Sequence, residues 1–227
     1  MTKKLQQVKT RIQNAAIQSG RNPKNITIVA VTKSFPPGIW ERTLQHHLTA
    51  IGESRIQEAE IKNKQFNNRQ KIERHFIGHL QSNKARRAIQ LFDVIQTIDS
   101  LKLAKRIDII SQEEGKKQKI FLQTNTSEDP KKHGFSEKET IAAAKEVAEL
   151  KGIELIGIMT IPPNNISRKK LKSIYNKTRK LRDIVHTTIE KSCKNLSMGM
   201  SNDYETAISE GATHIRLGTA LFGNRPS

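Results

Sequence analysis

The sequence has one cysteine, few aromatic residues and no long apolar segment. Because Cys193 is the single cysteine, the chain can form neither an internal disulfide framework nor a cysteine-rich metal site. No apolar run approaches the ~18–20 residues that a membrane-spanning helix needs. The amphipathic residues 1–13 lack the apolar stretch of a signal peptide. These absences predict a soluble protein of the cytoplasm that has no membrane partner.

Basic residues outnumber acidic ones by 40 to 22, which gives a formal net charge of +18. Such a surplus is compatible with nucleic-acid binding. However, Lys and Arg are spread along the whole chain, and aromatic residues make up only 4% of it, so no basic segment alternates with stacking rings. We therefore predict no nucleic-acid partner. Nucleic-acid binding remains the alternative that a retention assay at increasing salt tests.

Eight short apolar segments predict strands, and segments with helical periodicity alternate with them. The predicted strands are Ile26–Lys33, Ala50–Ser54, His75–His79, Val94–Asp99, Lys119–Asn125, Leu155–Ile161, Leu196–Met200 and His214–Thr219. Most are continuous apolar runs, which is typical of parallel strands buried on both faces. Eight units of about 28 residues favour an α/β fold, a small (β/α)8 TIM barrel. A doubly wound open sheet is the alternative. No segment has the composition of a linker, so residues 1–227 are predicted to form a single domain.

In a barrel of this kind, function is located where the strands end. Lys33 ends the first predicted strand. A lysine at the mouth of an apolar barrel loses hydration, which favours the neutral amine as a nucleophile for Schiff-base chemistry. A lysine that simply reaches solvent is the alternative.

The last two predicted strands end in a second group of polar residues. The seventh ends at Met200 and is followed by Ser201 and a helix start, which together offer backbone N–H groups and a hydroxyl to a phosphate. The eighth ends in Gly218 and Thr219, and the loops after strands 7 and 8 are the usual phosphate site of this fold. Ordinary turn and capping chemistry is the alternative for Ser201.

Arg216 lies between apolar neighbours in the eighth predicted strand, so its charge needs a partner inside the barrel. A Schiff-base lysine, a phosphate site and an inward arginine together predict a site for pyridoxal 5'-phosphate (PLP).

Several motifs, in this order, resemble those of the pyridoxal phosphate homeostasis protein family, which has the fold of the alanine racemase barrel domain. They are Ala30–Lys33 with Pro36, Ile51–Ser54 with Gln57 and Glu58, His75–Lys84, Gly157–Pro162, Leu196–Ser201 and Ile215–Gly223. The resemblance implies that Lys33 carries PLP as a Schiff base. It also implies that Ser201, Gly218 and Thr219 hold the phosphate and that Arg216 faces the pyridine nitrogen.

Three residues depart from the family pattern. Ser54 stands where asparagine is typical, Arg74 where tryptophan is common, and Lys131 where serine is usual. Lys132 does match a family lysine, which implies a secondary PLP contact; a solvated charge is the alternative.

The resemblance implies a PLP-binding protein that maintains the intracellular supply of the cofactor, without substantial turnover, as a monomer. Apo forms of PLP-dependent enzymes are its possible partners. The alternative is an amino-acid racemase, which needs a second acid/base. In alanine racemase that group comes from an additional β domain and the partner subunit, and only four residues follow Gly223 here. We assign no catalytic residue, including Glu53, His75 and His79, and no metal ligand.

Overall fold

The structure is a computed structural model that describes residues 1–127 and 129–224. Eight parallel strands follow one another around a closed barrel, and β8 pairs with β1. The strands are β1 (Thr27–Val31), β2 (Ala50–Glu53), β3 (Glu73–Phe76), β4 (Val94–Ile98), β5 (Gln118–Gln123), β6 (Ile153–Met159), β7 (Asn195–Met200) and β8 (His214–Leu217). This arrangement confirms the predicted (β/α)8 TIM barrel and excludes the open sheet.

A helix follows every strand, and one further helix precedes β1. The helices are α1 (Thr2–Gln18), α2 (Ile39–Gln45), α3 (Ile56–Gln65), α4 (Ala85–Leu91), α5 (Leu101–Glu113), α6 (Glu137–Ala148), α7 (Arg168–Thr188), α8 (Tyr204–Ser209) and α9 (Thr219–Phe222). The extra helix α1 packs against α8 and α9. None of the helices described is both long and apolar enough to cross a membrane.

Serine side chains cap the starts of α5, α6 and α7, at Ser100, Ser136 and Ser167. Ser136 and Glu139 form a capping box at α6: each side chain accepts a hydrogen bond from the backbone N–H of the other residue. Helix α8, in contrast, begins without a side-chain cap. The residue that precedes α8 is Asp203, and its carboxylate accepts from the N–H of Met200 at 2.6 Å instead of capping the helix.

The core lies between the barrel wall and the helices. All five residues of β4 are buried, as expected for a strand covered on both faces. Helix α7 buries one apolar face, which includes Leu171, Leu181 and Val185. Trp40 of α2 is fully buried and packs edge-on against Phe66.

Several strands end earlier than predicted, so Lys33 and Gly218 follow their strands, while Arg216 stays within β8 and Thr219 begins α9. β1 ends at Val31, so Lys33 lies in the turn that follows, next to Ser34, whose φ is +66°. β3 covers residues 73–76 and not 75–79, because its polar first residues belong to the ladder with β2. In β7, Gly199 has φ +93° and the register with β8 shifts between Ser197 and Met200. This irregularity sets the position of Ser201.

Candidate functional site

All five predicted site residues line one cavity at the carboxyl ends of the strands. Its volume is about 620 Å³, within the ~300–1,000 Å³ range of small-molecule pockets. Segments that follow β1, β6, β7 and β8 form most of its wall. The predicted residues among them are Lys33, Ser201, Arg216, Gly218 and Thr219. Lys132 is not among the lining residues.

Arg216 lies at the inner end of this cavity and is almost completely buried. Its Nη1 donates to Ser197 Oγ at 2.7 Å, and its Nη2 donates to the carbonyl of Thr160 at 2.9 Å. Both acceptors are neutral, and burial lowers the pKa of the guanidinium from its usual value. A guanidinium has five N–H donors, so it retains donors that an acceptor in the cavity can use.

A chain of hydrogen bonds runs from Arg216 across the barrel interior. Ser197 Oγ donates to Gln96 Oε1 at 2.7 Å, and Gln96 Nε2 lies 2.9 Å from His75 Nδ1. Because the amide nitrogen can only donate, His75 Nδ1 accepts and the ring hydrogen is on Nε2. That nitrogen lies 2.9 Å from Glu73 Oε2. In each of these hydrogen bonds the donor is therefore the residue nearer to Arg216 and the acceptor is the residue nearer to Glu73.

The far end of this hydrogen-bond chain contains two groups with strongly shifted pKa values. The hydrogen bond from His75 lowers the pKa of Glu73 to about 2. Burial lowers the pKa of the neighbouring His214 to about 3. Glu73 is thus a carboxylate and His214 a neutral imidazole at neutral pH, so the chain ends on an anion at the amino end of β3.

Ser201 joins the two loops predicted to hold a phosphate. Its Oγ accepts from the backbone N–H groups of Gly218 at 3.3 Å and Ala220 at 3.2 Å. The hydroxyl oxygen is therefore used as an acceptor, and its own hydrogen is available to an acceptor in the cavity. This geometry keeps the ends of β7 and β8 together.

A buried cluster of charged and polar side chains lies directly beside the Lys33 turn; we call it the Lys62 cluster, comprising Thr32, Trp40, Glu53, Glu58 and Lys62. The Lys62 ammonium donates to the carbonyl of Thr32, to Glu53 Oε1 and to Glu58 Oε1, each at 2.7 Å. Glu53 Oε1 also accepts from Thr32 Oγ1 at 2.6 Å and from Trp40 Nε1 at 3.3 Å. Burial raises the pKa of Glu53, and the Lys62 charge opposes that rise.

The Lys62 cluster fixes the backbone on both sides of Lys33. Lys62 binds the carbonyl that precedes Lys33, and Glu58 accepts from the N–H of Ser34, the residue after it. Ser34 has a positive φ, which a serine adopts only where its surroundings hold it there. The half-buried Lys33 side chain is therefore directed by contacts that the sequence did not reveal, although the Glu58–Lys62 spacing of four residues was a visible signal.

Two departures from the family pattern lie outside the cavity wall. Arg74 forms two hydrogen bonds of 2.9 Å with the carboxylate of Asp93, so its charge is satisfied away from the site. The backbone of Ser54 approaches Gly78 so closely that a Cβ on Gly78 would lie 2.3 Å from the Ser54 carbonyl oxygen. Neither side chain is among the residues lining the cavity.

Comparisons with known proteins agree with this geometry. The chain matches the family "Alanine racemase, N-terminal domain" over residues 4–226. A pyridoxal phosphate homeostasis protein of Synechocystis is 37% identical over 203 residues, which cover 89% of this chain and 93% of the relative. The structure of PipY from Synechococcus elongatus with PLP bound has a TM-score of 0.83 and 31% identity, covering 94% of this chain and 100% of that one.

A more distant solved structure shows the fold alone. An alanine racemase of Clostridium difficile has a TM-score of 0.75 at 18% identity, and the match covers 96% of this chain and 56% of that chain. From the match over residues 4–226 and the curated relatives above 30% identity, the chain belongs to the alanine racemase N-terminal domain family and, within it, to the pyridoxal phosphate homeostasis proteins.

Proposed function

We propose that this chain binds PLP as a Schiff base on Lys33 and takes part in the intracellular homeostasis of the cofactor, without substantial turnover of a substrate. One observation carries the proposal: a single cavity contains a lysine, a buried arginine and the Ser201–Gly218 contact. When bound, PLP supplies an aldehyde that condenses with an amine and releases water, and it carries a phosphate dianion and a pyridine nitrogen.

The residues fit the three polar ends of that molecule. The Ser201 hydroxyl and the loop at Gly218 and Thr219 would hold the phosphate, and Lys33 would supply the amine. Arg216 would donate to the pyridine nitrogen. Because a guanidinium does not give up its proton in proteins, it leaves that nitrogen unprotonated and the ring a weak electron sink. Such an environment suits storage of the cofactor better than carbanion chemistry.

The cavity wall offers few groups for proton transfer. Among the described residues that line it, only Lys33, Asp203 and Arg216 are titratable, and one oxygen of Asp203 already accepts from the N–H of Met200. This supports a protein without racemase activity. Incubation with L-alanine in deuterated water should leave the Cα hydrogen in place; deuterium at Cα together with D-alanine would refute this part of the proposal.

The attachment site has a direct test. Borohydride reduction of the PLP-loaded protein should add a pyridoxyl group to the peptide that contains Lys33. The Lys33→Ala variant should lose the visible absorbance band of the protonated Schiff base, whereas Lys24→Ala, at an exposed lysine before β1, should retain it. An unchanged band and PLP stoichiometry in Lys33→Ala would exclude Lys33. Lys132→Ala tests the secondary contact by the same readout.

The proposal extends to the localisation, the oligomeric state and the partners of the protein. We infer a cytoplasmic monomer whose residues 1–227 form one PLP-binding domain and whose partners are apo forms of PLP-dependent enzymes. Light scattering of the loaded protein should give the mass of one chain, 25.7 kDa. The loaded protein should also reactivate an apo-enzyme when the two are mixed. The rate of this reactivation should exceed the rate at which PLP dissociates from the loaded protein after dilution.

A further inference from the structure

Three side chains from successive loops meet at the mouth of the barrel, on the side of β3, β4 and β5. His79 follows β3, Asp99 follows β4, and His133 lies between β5 and α6. They take no part in the cavity described above, whose wall is formed mainly by the segments after β1, β6, β7 and β8. The carboxyl ends of barrel strands are where this fold places its functional groups.

The three side chains bring one ligand atom each close to those of the other two. His79 Nδ1 lies 3.2 Å and His133 Nδ1 lies 3.8 Å from the same oxygen, Asp99 Oδ2. One ligand atom from each residue lies within 4.8 Å of the other two. Ligands at ~2.0–2.1 Å from a tetrahedral zinc ion are roughly 3.3 Å apart, so the observed separations are close to those of a ligand set.

We propose that His79, Asp99 and His133 form a binding site for a divalent transition-metal ion. Two imidazole nitrogens and one carboxylate oxygen suit Zn²⁺, Fe²⁺ or Co²⁺, whereas Mg²⁺ and Ca²⁺ prefer oxygen ligands alone. Three protein ligands leave at least one coordination position for water or for an exogenous ligand. The site does not depend on PLP and goes beyond the proposed function.

Exposure divides the three ligands into one fixed and two adjustable groups. The Asp99 side chain is only 11% exposed, while those of His79 and His133 are 49% and 63% exposed. The two rings stack with centroids 4.3 Å apart and planes 18° apart. Coordination requires them to turn so that both lone pairs point at the ion. Exposed side chains turn with little loss of packing, and rotamer changes of this kind take picoseconds to nanoseconds.

Cobalt is a suitable probe because Co²⁺ bound to nitrogen and oxygen ligands gives visible d–d bands. Titration of the full-length protein with CoCl₂ should give those bands at one ion per chain, and ZnCl₂ should displace the cobalt. Cobalt binding should weaken at least tenfold in each of three single variants, His79→Ala, Asp99→Asn and His133→Ala. A loss of ~10–100-fold follows even when a residue that only orients a metal ligand is removed. His47→Asn is the matched control, because His47 is exposed, has φ +57° and asparagine tolerates that conformation.

The same titration on protein with and without PLP separates this site from chelation by the cofactor. Equal stoichiometry in both forms supports the proposal, and loss of the bands on removal of PLP overturns it. Binding that survives His133→Ala, or that His47→Asn abolishes, also overturns it. If no bands develop and calorimetry with ZnCl₂ detects no site, His79 serves only as a hydrogen-bond partner of Asp99, with His133 stacked on it, and the proposal is wrong.

Discussion

Replacing Lys62 by methionine tests whether the Lys62 cluster positions the Lys33 turn. The Lys62 side chain is 1% exposed and that of Glu53 is 0% exposed, so neither charge has access to water. Methionine preserves most of the aliphatic packing of the lysine and removes only the ammonium. The Lys62→Met variant therefore isolates the charge and its three hydrogen bonds.

The expected loss of stability follows from what Lys62→Met leaves behind. Glu53 keeps only the hydrogen bonds from Thr32 and Trp40, and its second oxygen, Oε2, already has no partner among the described residues. Two unit charges ~4 Å apart at an effective dielectric constant of ~20 attract each other by ~4 kcal/mol. Removal of one partner of a buried ion pair costs ~3–5 kcal/mol. We expect a loss of that size in the free energy of unfolding, a large part of the ~5–15 kcal/mol that domains have.

Urea unfolding of the protein without PLP, followed by circular dichroism, measures this loss. Lys64→Met is the matched control, since Lys64 lies on the same helix and is exposed; it should change stability by no more than ~0.5 kcal/mol. The double variant Lys62→Met/Glu53→Gln should recover part of the loss, because a neutral amide at position 53 no longer leaves a buried charge unpaired.

The pH dependence of the Lys62→Met defect has a definite sign. Burial raises the pKa of Glu53 above its unfolded value, and removal of the Lys62 charge raises it further. Such a carboxyl disfavours the folded state as pH rises through its folded pKa, so the defect should shrink when pH is lowered from about 8 to about 5. A loss below ~1 kcal/mol, or a defect that grows on acidification, would refute the assignment of a charged buried pair.

Three further predictions concern Gly199, His214 and Cys193. Gly199→Ala should destabilise the fold by at least ~2 kcal/mol, because φ is +93° and the new Cβ would lie 2.5 Å from the Ala207 Cβ; Gly115→Ala, where no atom lies within 4 Å, should cost only ~1 kcal/mol by urea unfolding. Burial lowers the pKa of His214 to about 3, so stability present above the unfolded pKa is lost as pH falls from ~6.5 towards 3. At about pH 5, the loss in free energy of unfolding should be smaller in His214→Asn than in the unsubstituted protein, by on the order of 1–2 kcal/mol. Equal losses in the two proteins would contradict this prediction. Burial also raises the pKa of Cys193 to about 12, so Ellman's reagent should modify it only after unfolding; rapid modification of the native protein would show that the thiol is accessible.

The hydrophobic pattern was sufficient to predict the barrel but not the ends of its strands. Apolar runs locate buried segments, and all eight runs overlap observed strands. A run does not show where the hydrogen-bonded ladder stops. At β3 the polar Glu73 and Arg74 belong to the strand because Arg74 faces Asp93 outside the barrel and Glu73 bonds to His75 inside it. Both contacts involve groups that an apolar pattern does not count.

The residues that line the cavity were predictable where residue type alone indicates chemistry. Lys33, Ser201 and Arg216 line it, and they were predicted because reactive or polar groups interrupt apolar strands. Lys62 was not, because a lysine in the last turns of a polar helix normally faces water. Its burial depends on Glu53, which belongs to another element, and that proximity exists only in the folded chain.

The two sets of buried charges are in different electrostatic situations: the Lys62 cluster lies between the barrel wall and helices α2 and α3, whereas Arg216 lies inside the barrel. In the Lys62 cluster one ammonium faces two carboxylates, so that side is compensated. Arg216, in contrast, forms no hydrogen bond with a carboxylate among the described residues; Asp203, which lines the same cavity, favours its charged form only through space. A buried cation without a hydrogen-bonded anion is costly unless a ligand supplies acceptors. An anionic ligand in the cavity would offset that cost, so saturation with PLP should raise the free energy of unfolding by RT ln(1 + [L]/Kd) and should do so less in Arg216→Gln. The excess of 18 positive charges over the whole chain is not needed for this effect, which depends on one arginine.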